Sequence, residues 1–379
     1  MFEEKYKKVA KVILKAGGLP IPVNPTFLEI IRTLIKDDEE ELDMLLSFRR
    51  KISQNMEQLK KNSGLTEEKI MEITDRLAKK GFIFNQPNSK GVLVFRVLPI
   101  INVGLFEYTF MKELEINEEN KKIADLFTKF FCELDEFVQR GYDNIIPMLQ
   151  KAPPVDRTVP VYQNEPKGKE IMISLNEEVE VPLETIVPSQ KIEQIVEKFD
   201  DIAVGHCFCR HHKDIDGKPC VQTNLRENCF TFGKSARHIV QQGFGRMISK
   251  EEALQIMRDS EKDGLVHKAY HPNFDTTKPE TSICNCCKCC CGNSYTNAIA
   301  PMINATNFIS VVNEDLCIGC GTCVDKCINE AIFIDDKGKA KRFEERCIGC
   351  GVCARFCPEN AISLKELERI VNVPPPKKK

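Results

Sequence analysis

A doubled cysteine repeat constrains this chain more than any other feature. Residues 317–327 read CIGCGTCVDKC and residues 347–357 read CIGCGVCARFC, so the spacing C-x2-C-x2-C-x3-C occurs twice, 30 residues apart (347 − 317). The same offset relates the Ala-Ile pair at 331–332 to the pair at 361–362. We therefore expect two copies of one strand–loop–helix–strand unit, packed as a pseudo-twofold pair.

The spacing suits a [4Fe–4S] cube, in which each of four irons takes one thiolate. The tight loop of a repeat can cap three corners but not the fourth, so each repeat contributes its last cysteine to the other cluster. The predicted ligand sets are Cys317, Cys320, Cys323 and Cys357 for one cluster, and Cys347, Cys350, Cys353 and Cys327 for the other. The loop glycines that let backbone amides approach the cluster are Gly319, Gly321, Gly349 and Gly351. A zinc site would instead use paired CxxC motifs with longer separations.

The other cysteines also cluster. Of 19 in the chain, only Cys132 precedes residue 200, and eighteen lie between Cys207 and Cys357. The charged amino terminus has no signal-peptide core, and no run of about 18 apolar residues could span a membrane. We therefore expect a cytoplasmic protein, in whose reducing surroundings thiols stay available for metals. Cys132, in the apolar stretch LFTKFFCEL, is expected to be an ordinary core residue.

Length and composition predict a globular α+β multidomain protein. The 379 residues are 42% hydrophobic and 29% charged, and the net charge of −2 provides no global field for nucleic acid or anionic lipid. The predicted parts are a helical, winged-helix-like domain (1–110), a helical segment and linker (111–188), a cysteine-rich α/β domain (189–305), a domain with the doubled repeat (306–370) and a disordered basic tail (371–379).

The amino-terminal third shows the pattern of a winged helix. Apolar spacing, capping residues and turn residues predict, in order, helix Asn55–Asn62, a turn at Gly64, a helix capped by Thr66 and stopped by Gly81, and strands Phe82–Phe84 and Val92–Arg96. Helical spacing continues over residues 105–150. Further along, the sequence predicts a helix from Ser189, a short strand at DIAV, a loop at GHCFCR and a helix from Ser249 to about Gly264.

A winged helix raises the question of DNA binding. The first turn of a recognition helix meets base edges and phosphates. Here that turn reads Thr66-Glu67-Glu68-Lys69, so it presents two carboxylates to a polyanion, and Glu72 and Asp75 follow. We expect this domain to serve in docking or dimerisation in preference to binding nucleic acid.

A second set of ten cysteines precedes the doubled repeat. They are Cys207, Cys209, Cys220, Cys229, Cys284, Cys286, Cys287, Cys289, Cys290 and Cys291. Ten thiols can serve two cubanes with two left over, or one larger bridged cluster. If the stretch ICNCCKCCC is extended, residues 287, 289 and 291 point one way and residues 284, 286 and 290 the other. We expect at least one further iron–sulfur cluster here. A zinc site at CFCRHH, with Cys207, Cys209 and His211 or His212, is the alternative.

Two family resemblances follow from these motifs. Residues 308–366 resemble a bacterial-type 2[4Fe–4S] ferredoxin in all eight ligand positions, with Ile328 in place of the proline that often follows the fourth cysteine. Over about residues 185–366, the order AVGHCFCR, ENCFTFG, ISKEEALQIM and ICNCCKCCCG resembles a family of multi-cluster iron–sulfur proteins of anaerobes with a winged-helix-like amino-terminal region. The resemblance implies iron–sulfur electron chemistry.

These features predict low-potential electron transfer through several [4Fe–4S] clusters, delivering electrons to or within an anaerobic oxidoreductase complex. The expected partners are redox proteins, in a larger complex or a homo-oligomer, with neither nucleic acid nor membrane. No Rossmann or P-loop glycine motif occurs, so we expect no tightly bound nucleotide or flavin. Two alternatives stay open: an enzyme or activase subunit whose middle cluster is the active site, and a redox-sensing winged-helix regulator.

Overall fold

The computed structural model describes residues 2–18, 21–161 and 191–378. Its helices are α1 (Phe2–Gly17), α2 (Pro25–Ile35), α3 (Glu39–Ser47), α4 (Met56–Ser63), α5 (Glu67–Lys79), α6 (Leu105–Met111), α7 (Glu118–Arg140), α8 (Tyr142–Leu149), α9 (Ile192–Glu197), α10 (Phe208–Ile215), α11 (Lys234–Gln241), α12 (Lys250–Lys262), α13 (Thr322–Lys326) and α14 (Val352–Arg355). Its strands are β1 (Ser53–Asn55), β2 (Ile83–Pro87), β3 (Leu93–Val97), β4 (Asp156–Val159), β5 (Ile202–His206), β6 (Glu227–Phe232), β7 (Arg246–Met247), β8 (Val266–Tyr270), β9 (Ser282–Cys286), β10 (Met302–Val312), β11 (Ile332–Ile334), β12 (Ala340–Arg342) and β13 (Ile362–Val373). Helix and sheet are mixed, as predicted.

The chain divides into two compact units. The first contains residues 1–136, 205–219 and 234–247, and the second contains residues 137–204, 220–233 and 248–379. Segments 205–219 and 234–247, which the sequence assigned to the cysteine-rich domain, therefore belong to the first unit. Residues 162–190, which include most of the predicted linker, lie outside the described part of the chain.

The first unit contains the predicted helix–turn–helix and hairpin. The Asn55 side chain caps α4 through a capping box, Gly64 ends that helix in a left-handed conformation, and Thr66 caps α5. Strand β3 pairs antiparallel with β2, and also with β1, a strand that the sequence did not predict. The elements are therefore confirmed, while their interpretation as a winged helix stays a prediction.

Apolar faces of the first unit meet in one core. Phe27, Phe106, Phe110, Phe127 and Phe130 are all buried there, and several of their rings contact one another at tilted or edge-on angles. Their spacing on α6 and α7 is the helical spacing seen in the sequence. Cys132, by contrast, lies on the exposed side of α7, so the prediction of a core cysteine is wrong.

The cations of α5 are held by carboxylates. Arg76 pairs with Glu72 on its own helix and with Glu40 on α3, and Lys69 also pairs with Glu40 and Glu72. Lys80, just after α5, pairs with the buried Glu41. Because these cations are already paired, the helix presents a mixed surface and not a basic one.

A mixed sheet organises the second unit. Six strands of this sheet lie wholly in the unit, in the order β13-β10-β4-β8-β9-β6. Neighbours run antiparallel, except that β10 and β4 are parallel. One face is covered by α9 and α12, whose Ile195 and Met257 join Phe230 and Ile283 of the sheet in an apolar core. Ser249 caps α12, as predicted.

The doubled repeat lies at the β13 end of this sheet. Strands β10 and β13 form a long antiparallel pair, and between them the chain builds α13, the β11–β12 hairpin and α14. The two repeats therefore occupy equivalent places in one small fold, each with a cysteine loop followed by a one-turn helix. This is the strand–loop–helix–strand pattern that the sequence predicted.

The carboxyl-terminal tail is ordered through residue 378, which differs from the predicted disorder. Strand β13 continues to Val373, and Tyr142 donates a hydrogen bond to the Pro375 carbonyl at 2.7 Å. Lys377 pairs with Asp143 at 2.8 Å. Polar contacts with α8 hold a segment whose composition alone suggested solvation. Among the described residues, no helix combines the length and hydrophobicity needed to cross a bilayer.

Candidate iron–sulfur sites

A cavity opens inside the first cysteine loop. Its sulfur-bearing wall consists of Cys317, Cys320, Cys323 and Cys357, and apolar side chains such as Ile334 and Ile362 close the rest. Three of these cysteines come from the first repeat and one from the second. The structure therefore brings together one of the two predicted ligand sets.

A second cavity lies inside the other loop. Cys347, Cys350 and Cys353 of the second repeat line it together with Cys327 of the first. This is the other predicted set, so each cavity combines three cysteines of one repeat with the last cysteine of the other. Below we call them the first and the second ferredoxin cavity.

Glycines let the loops curl around these cavities. Gly319 and Gly349 have φ angles of 68° and 65°, in the left-handed region that side chains other than glycine rarely adopt. A Cβ atom on Gly319 would collide with the Gly338 carbonyl, and one on Gly349 with the Phe308 carbonyl. Both positions therefore require glycine for conformation and for close backbone approach.

Backbone amides point at the cysteine sulfurs. Ala331 donates to Cys327 Sγ at 3.2 Å and Ala361 donates to Cys357 Sγ at 3.3 Å, at the same four-residue offset in each repeat. Ala340 donates to Cys317 Sγ at 3.3 Å. Such donors stabilise negative charge on thiolates and tune the potential of a cluster that the thiolates hold. The pockets thus have the shape, ligand number and donors that a [4Fe–4S] cluster requires.

The two ferredoxin cavities differ in exposure. Each cavity contains a thiol whose pKa burial raises: Cys350 of the second cavity to about 12 and Cys323 of the first to about 11. These two thiolates are unfavourable without a bound cation such as iron. Cys320, by contrast, is exposed, and hydrogen bonds from Thr322 lower the pKa of its thiol. The first cavity therefore has an edge at the protein surface.

Three cysteines of the middle region share one face of the sheet. Cys229 and Cys284 are direct partners on β6 and β9, and Cys286 follows two residues later on β9. Cys291, beyond the strand, lies near enough that its charge raises the pKa of Lys268 on β8. We call Cys229, Cys284, Cys286 and Cys291 the sheet thiols.

Buried polar side chains accompany the sheet thiols. Lys268, which pairs with Cys284 in the sheet register, contacts Asp156 at 3.1 Å and Asn304 at 2.7 Å. Burial alone would lower the pKa of Lys268, but Asp156, Cys286 and Cys291 outweigh it and raise that pKa. Asp156 Oδ1 and Asn304 Nδ2 are buried without a hydrogen-bond partner. Sequence reasoning missed these residues, although a lysine inside the buried strand VHKAY is a detectable signal.

The remaining cysteines of the stretch ICNCCKCCC depart from the predicted alternation. Strand β9 ends at Cys286, and the chain then turns. The turn brings the Sγ atoms of Cys287, Cys289 and Cys290 together with that of Cys220, all within 4.8 Å of one another. The prediction that residues 287 and 289 face away from residue 290 is therefore wrong, because it assumed an extended chain through residue 291.

Cys207 and Cys209 belong to the first unit. The predicted loop GHCFCR instead contains the end of β5, Cys207 at the N-cap of α10 and the first residues of that helix. In this unit His212 is enclosed by phenylalanine rings, its Nε2 lies 3.0 Å from the Ala124 carbonyl, and burial lowers its pKa to about 4. His211 Nδ1 lies 2.9 Å from the Phe110 carbonyl. These contacts give both histidines structural roles, which weakens the zinc alternative at CFCRHH.

Comparison with known proteins agrees with the geometry of the repeat region. Residues 310–364 match the family model of the 4Fe-4S dicluster domain. A segment of 32 residues is 53% identical to a probable ferredoxin of Methanosarcina thermophila, covering 8% of this chain and 55% of that protein, about half its length. No solved structure matches the chain.

The carboxyl-terminal region is therefore a ferredoxin-type domain of the dicluster class. The likeness covers only this part of the chain. For the remaining residues, function rests on their own chemistry.

Proposed function

We propose that this protein transfers electrons at low potential through the two clusters of its ferredoxin domain and a further iron–sulfur cluster held by the middle region. One observation carries the proposal: each ferredoxin cavity is lined by three cysteines of one repeat and the last cysteine of the other. Bound [4Fe–4S] clusters supply reversible one-electron chemistry, with potentials set by charge, hydrogen bonds and burial.

The order of the sites supports a relay. Burial raises the pKa of Cys353 in the second cavity, and the charges of neighbouring thiols, with Cys323 of the first cavity among them, raise it further. Lys268 acts electrostatically on Cys350 of the second cavity and on Cys286 and Cys291 of the sheet thiols. The three sites therefore lie within electrostatic reach of one another in the order first cavity, second cavity, sheet thiols, and electrons would pass between neighbours in this order.

The exposed edge of the first cavity suits contact with a protein redox partner. Leu316 is 51% exposed and Ile318 is 65% exposed, beside the exposed Cys320. Apolar side chains around a redox centre favour transient docking, because their burial adds affinity without a fixed set of hydrogen bonds. We assign electron exchange with a carrier protein to this edge, within a larger complex or an oligomer.

An anaerobic redox titration of the full chain tests the proposal. The expected result is EPR signals of two interacting reduced clusters, plus a further iron–sulfur signal, toward the negative end of the roughly −700 to +450 mV range of such clusters. In Cys320→Ser the signal of the first cavity should change, while Cys132→Ser, an exposed cysteine outside every site, should behave as the unaltered protein. Absence of reducible clusters in the unaltered protein would overturn the proposal.

A catalytic role for the middle cluster is the second candidate. The unpartnered Asp156 Oδ1 and Asn304 Nδ2 favour it, because buried polar atoms beside thiols can orient a bound substrate. Small exogenous ligands should then perturb the EPR signal of the middle cluster, whereas full thiolate ligation leaves that signal unchanged and limits the cluster to electron transfer.

A further inference from the structure

Four thiols of the middle region form one compact group. The Sγ atoms of Cys220, Cys287, Cys289 and Cys290 all lie within 4.8 Å of one another. Cys289 Sγ lies 3.4 Å from Cys220 Sγ and 3.6 Å from Cys290 Sγ. Across the described residues, this is the group of cysteine, histidine and acidic side chains whose ligand atoms could share one metal ion.

The spacing of these sulfurs distinguishes one metal from a cluster. Four thiolates at the zinc–sulfur distance of about 2.3 Å in a tetrahedron lie about 3.8 Å apart. A cubane spreads its four thiolates over four separate irons, which places the sulfurs farther from one another. The separations of 3.4 and 3.6 Å, together with the 4.8 Å limit for all pairs of the group, are therefore closer to a single tetrahedral ion than to a cubane.

Two loops supply the four thiols, and hydrogen bonds hold the loops together. Cys220 precedes β6, and the other three thiols follow β9. Gln222 accepts a hydrogen bond from the Lys288 amide at 2.8 Å and donates one to the Gly264 carbonyl at 3.0 Å. Asn297 donates to the Cys289 carbonyl at 3.1 Å. The ligand-bearing turn is thus fixed from both sides, as metal sites require.

Most of the group is shielded from solvent. Cys220, Cys287 and Cys290 are buried and Cys289 is exposed. An ion held by all four thiolates has no open position for substrate.

We propose that Cys220, Cys287, Cys289 and Cys290 hold a single tetrahedral metal ion through four thiolates. Zinc and iron are the ions that take a tetrahedral four-sulfur site. The ion links the segment before β6 to the turn after β9, and so fixes the region that carries the sheet thiols. The site does not depend on the ferredoxin domain, which has its own eight cysteines.

Metal and sulfide content of the anaerobically purified full chain tests this site. We expect Cys220→Ala to lose one zinc per chain, or one iron with no change in acid-labile sulfide, relative to the unaltered protein. The control is Cys132→Ala, an exposed cysteine outside every proposed site, which should keep that ion. Loss of iron and sulfide together in Cys220→Ala, no loss of metal, or an equal loss in the control would each overturn the proposal.

A spectroscopic measurement on the unaltered protein covers the case in which Cys220→Ala does not fold. For zinc, X-ray absorption should show four sulfur neighbours at about 2.3 Å. For iron, the Mössbauer spectrum should contain a mononuclear tetrathiolate component beside the clusters. Zinc with nitrogen or oxygen neighbours, or neither metal in a four-sulfur environment, would contradict the assignment.

Discussion

At the scale of residues, two glycines of the first cysteine loop allow a test of how closely the backbone packs there. Gly319 and Gly321 both have positive φ angles, 68° and 79°. A Cβ on Gly319 collides with the Gly338 carbonyl, whereas one on Gly321 meets nothing within 4 Å. The two positions share the backbone conformation and differ in the space around it, so they form a matched pair.

We predict that Gly319→Ala lowers stability more than Gly321→Ala does. Both variants bear the strain of a left-handed residue, about 1–2 kcal/mol, but only Gly319→Ala must also move the hairpin that contains Gly338. Thermal unfolding of the iron-loaded proteins, with iron content measured in parallel, checks this. Equal effects of the two substitutions would contradict the assigned close approach.

A buried histidine gives the first unit a defined acid sensitivity. His238 contacts Phe84 and Tyr108, neither ring nitrogen has a hydrogen-bond partner, and burial lowers its pKa from 6.5 to about 4. The unfolded chain binds the proton more readily than the folded one. The contribution of neutral His238 to the free energy of unfolding is therefore fully present above about pH 6.5. This contribution is lost as the pH falls toward 4, by about 3 kcal/mol in all.

His238→Phe should flatten this pH dependence. The phenylalanine ring fits the aromatic surroundings and cannot be protonated, so the variant should resemble the unaltered protein at pH 7 and exceed it in stability at pH 5. Chemical unfolding at the two pH values measures the difference. A constant gap between the two proteins at both pH values would show that titration of His238 is not the cause.

The buried pair of Lys268 and Asp156 offers a double-mutant test beside the sheet thiols. Lys268→Met leaves the Asp156 carboxyl buried without its cation, which should lower the free energy of unfolding by about 3–5 kcal/mol. Adding Asp156→Asn removes the uncompensated charge and should restore part of the loss. If the double variant is less stable than Lys268→Met, the 3.1 Å contact is not the dominant interaction.

At the scale of elements, the paired charges of α5 favour a role in docking over a role in reading DNA. Its cations are paired with carboxylates of α3 and of α5 itself. We predict no sequence-specific retention of duplex DNA at near-physiological salt, for oxidised or reduced protein. Joint Glu67→Lys and Glu68→Lys substitution should add weak, strongly salt-dependent binding. Specific retention by the unaltered protein in an electrophoretic shift assay would favour the regulator alternative.

Elements with a local cause followed from the sequence. Helix α5 was predicted from Thr66 and Gly81, and α12 from Ser249, because caps and stops act within a few residues. The turn after Cys286 was not predicted, because nothing in a run of cysteines marks where an extended strand ends. The helix that begins after Cys207 was likewise predicted as a loop, and its packing against distant phenylalanines decides its conformation.

At the scale of the whole molecule, the crossed ligand sets were predictable and the middle sites were not. Cysteine spacing limits which corners one loop can reach, so spacing alone pairs Cys357 with the first repeat. Joining Cys220 to residues 287–290 requires contacts between segments about 70 residues apart, and no local pattern encodes these. Each of the two units likewise consists of three separate segments of the chain, which only contacts between distant residues bring together.

The central claim is that each ferredoxin cavity takes its fourth ligand from the other repeat. Cys357 lies in the second repeat but lines the first cavity with Cys317, while Cys347 lines the second cavity. Two double variants separate crossed from uncrossed ligation, because a cluster already lost through one ligand cannot be lost again.

Iron and acid-labile sulfide per chain therefore provide the most direct measurement. Cys357→Ser combined with Cys317→Ser should lose about four irons, those of one [4Fe–4S] cluster. Cys357→Ser combined with Cys347→Ser should lose about eight. Cys132→Ser should lose none. The reverse pattern, with about eight irons lost in the first double variant and about four in the second, would contradict crossed ligation.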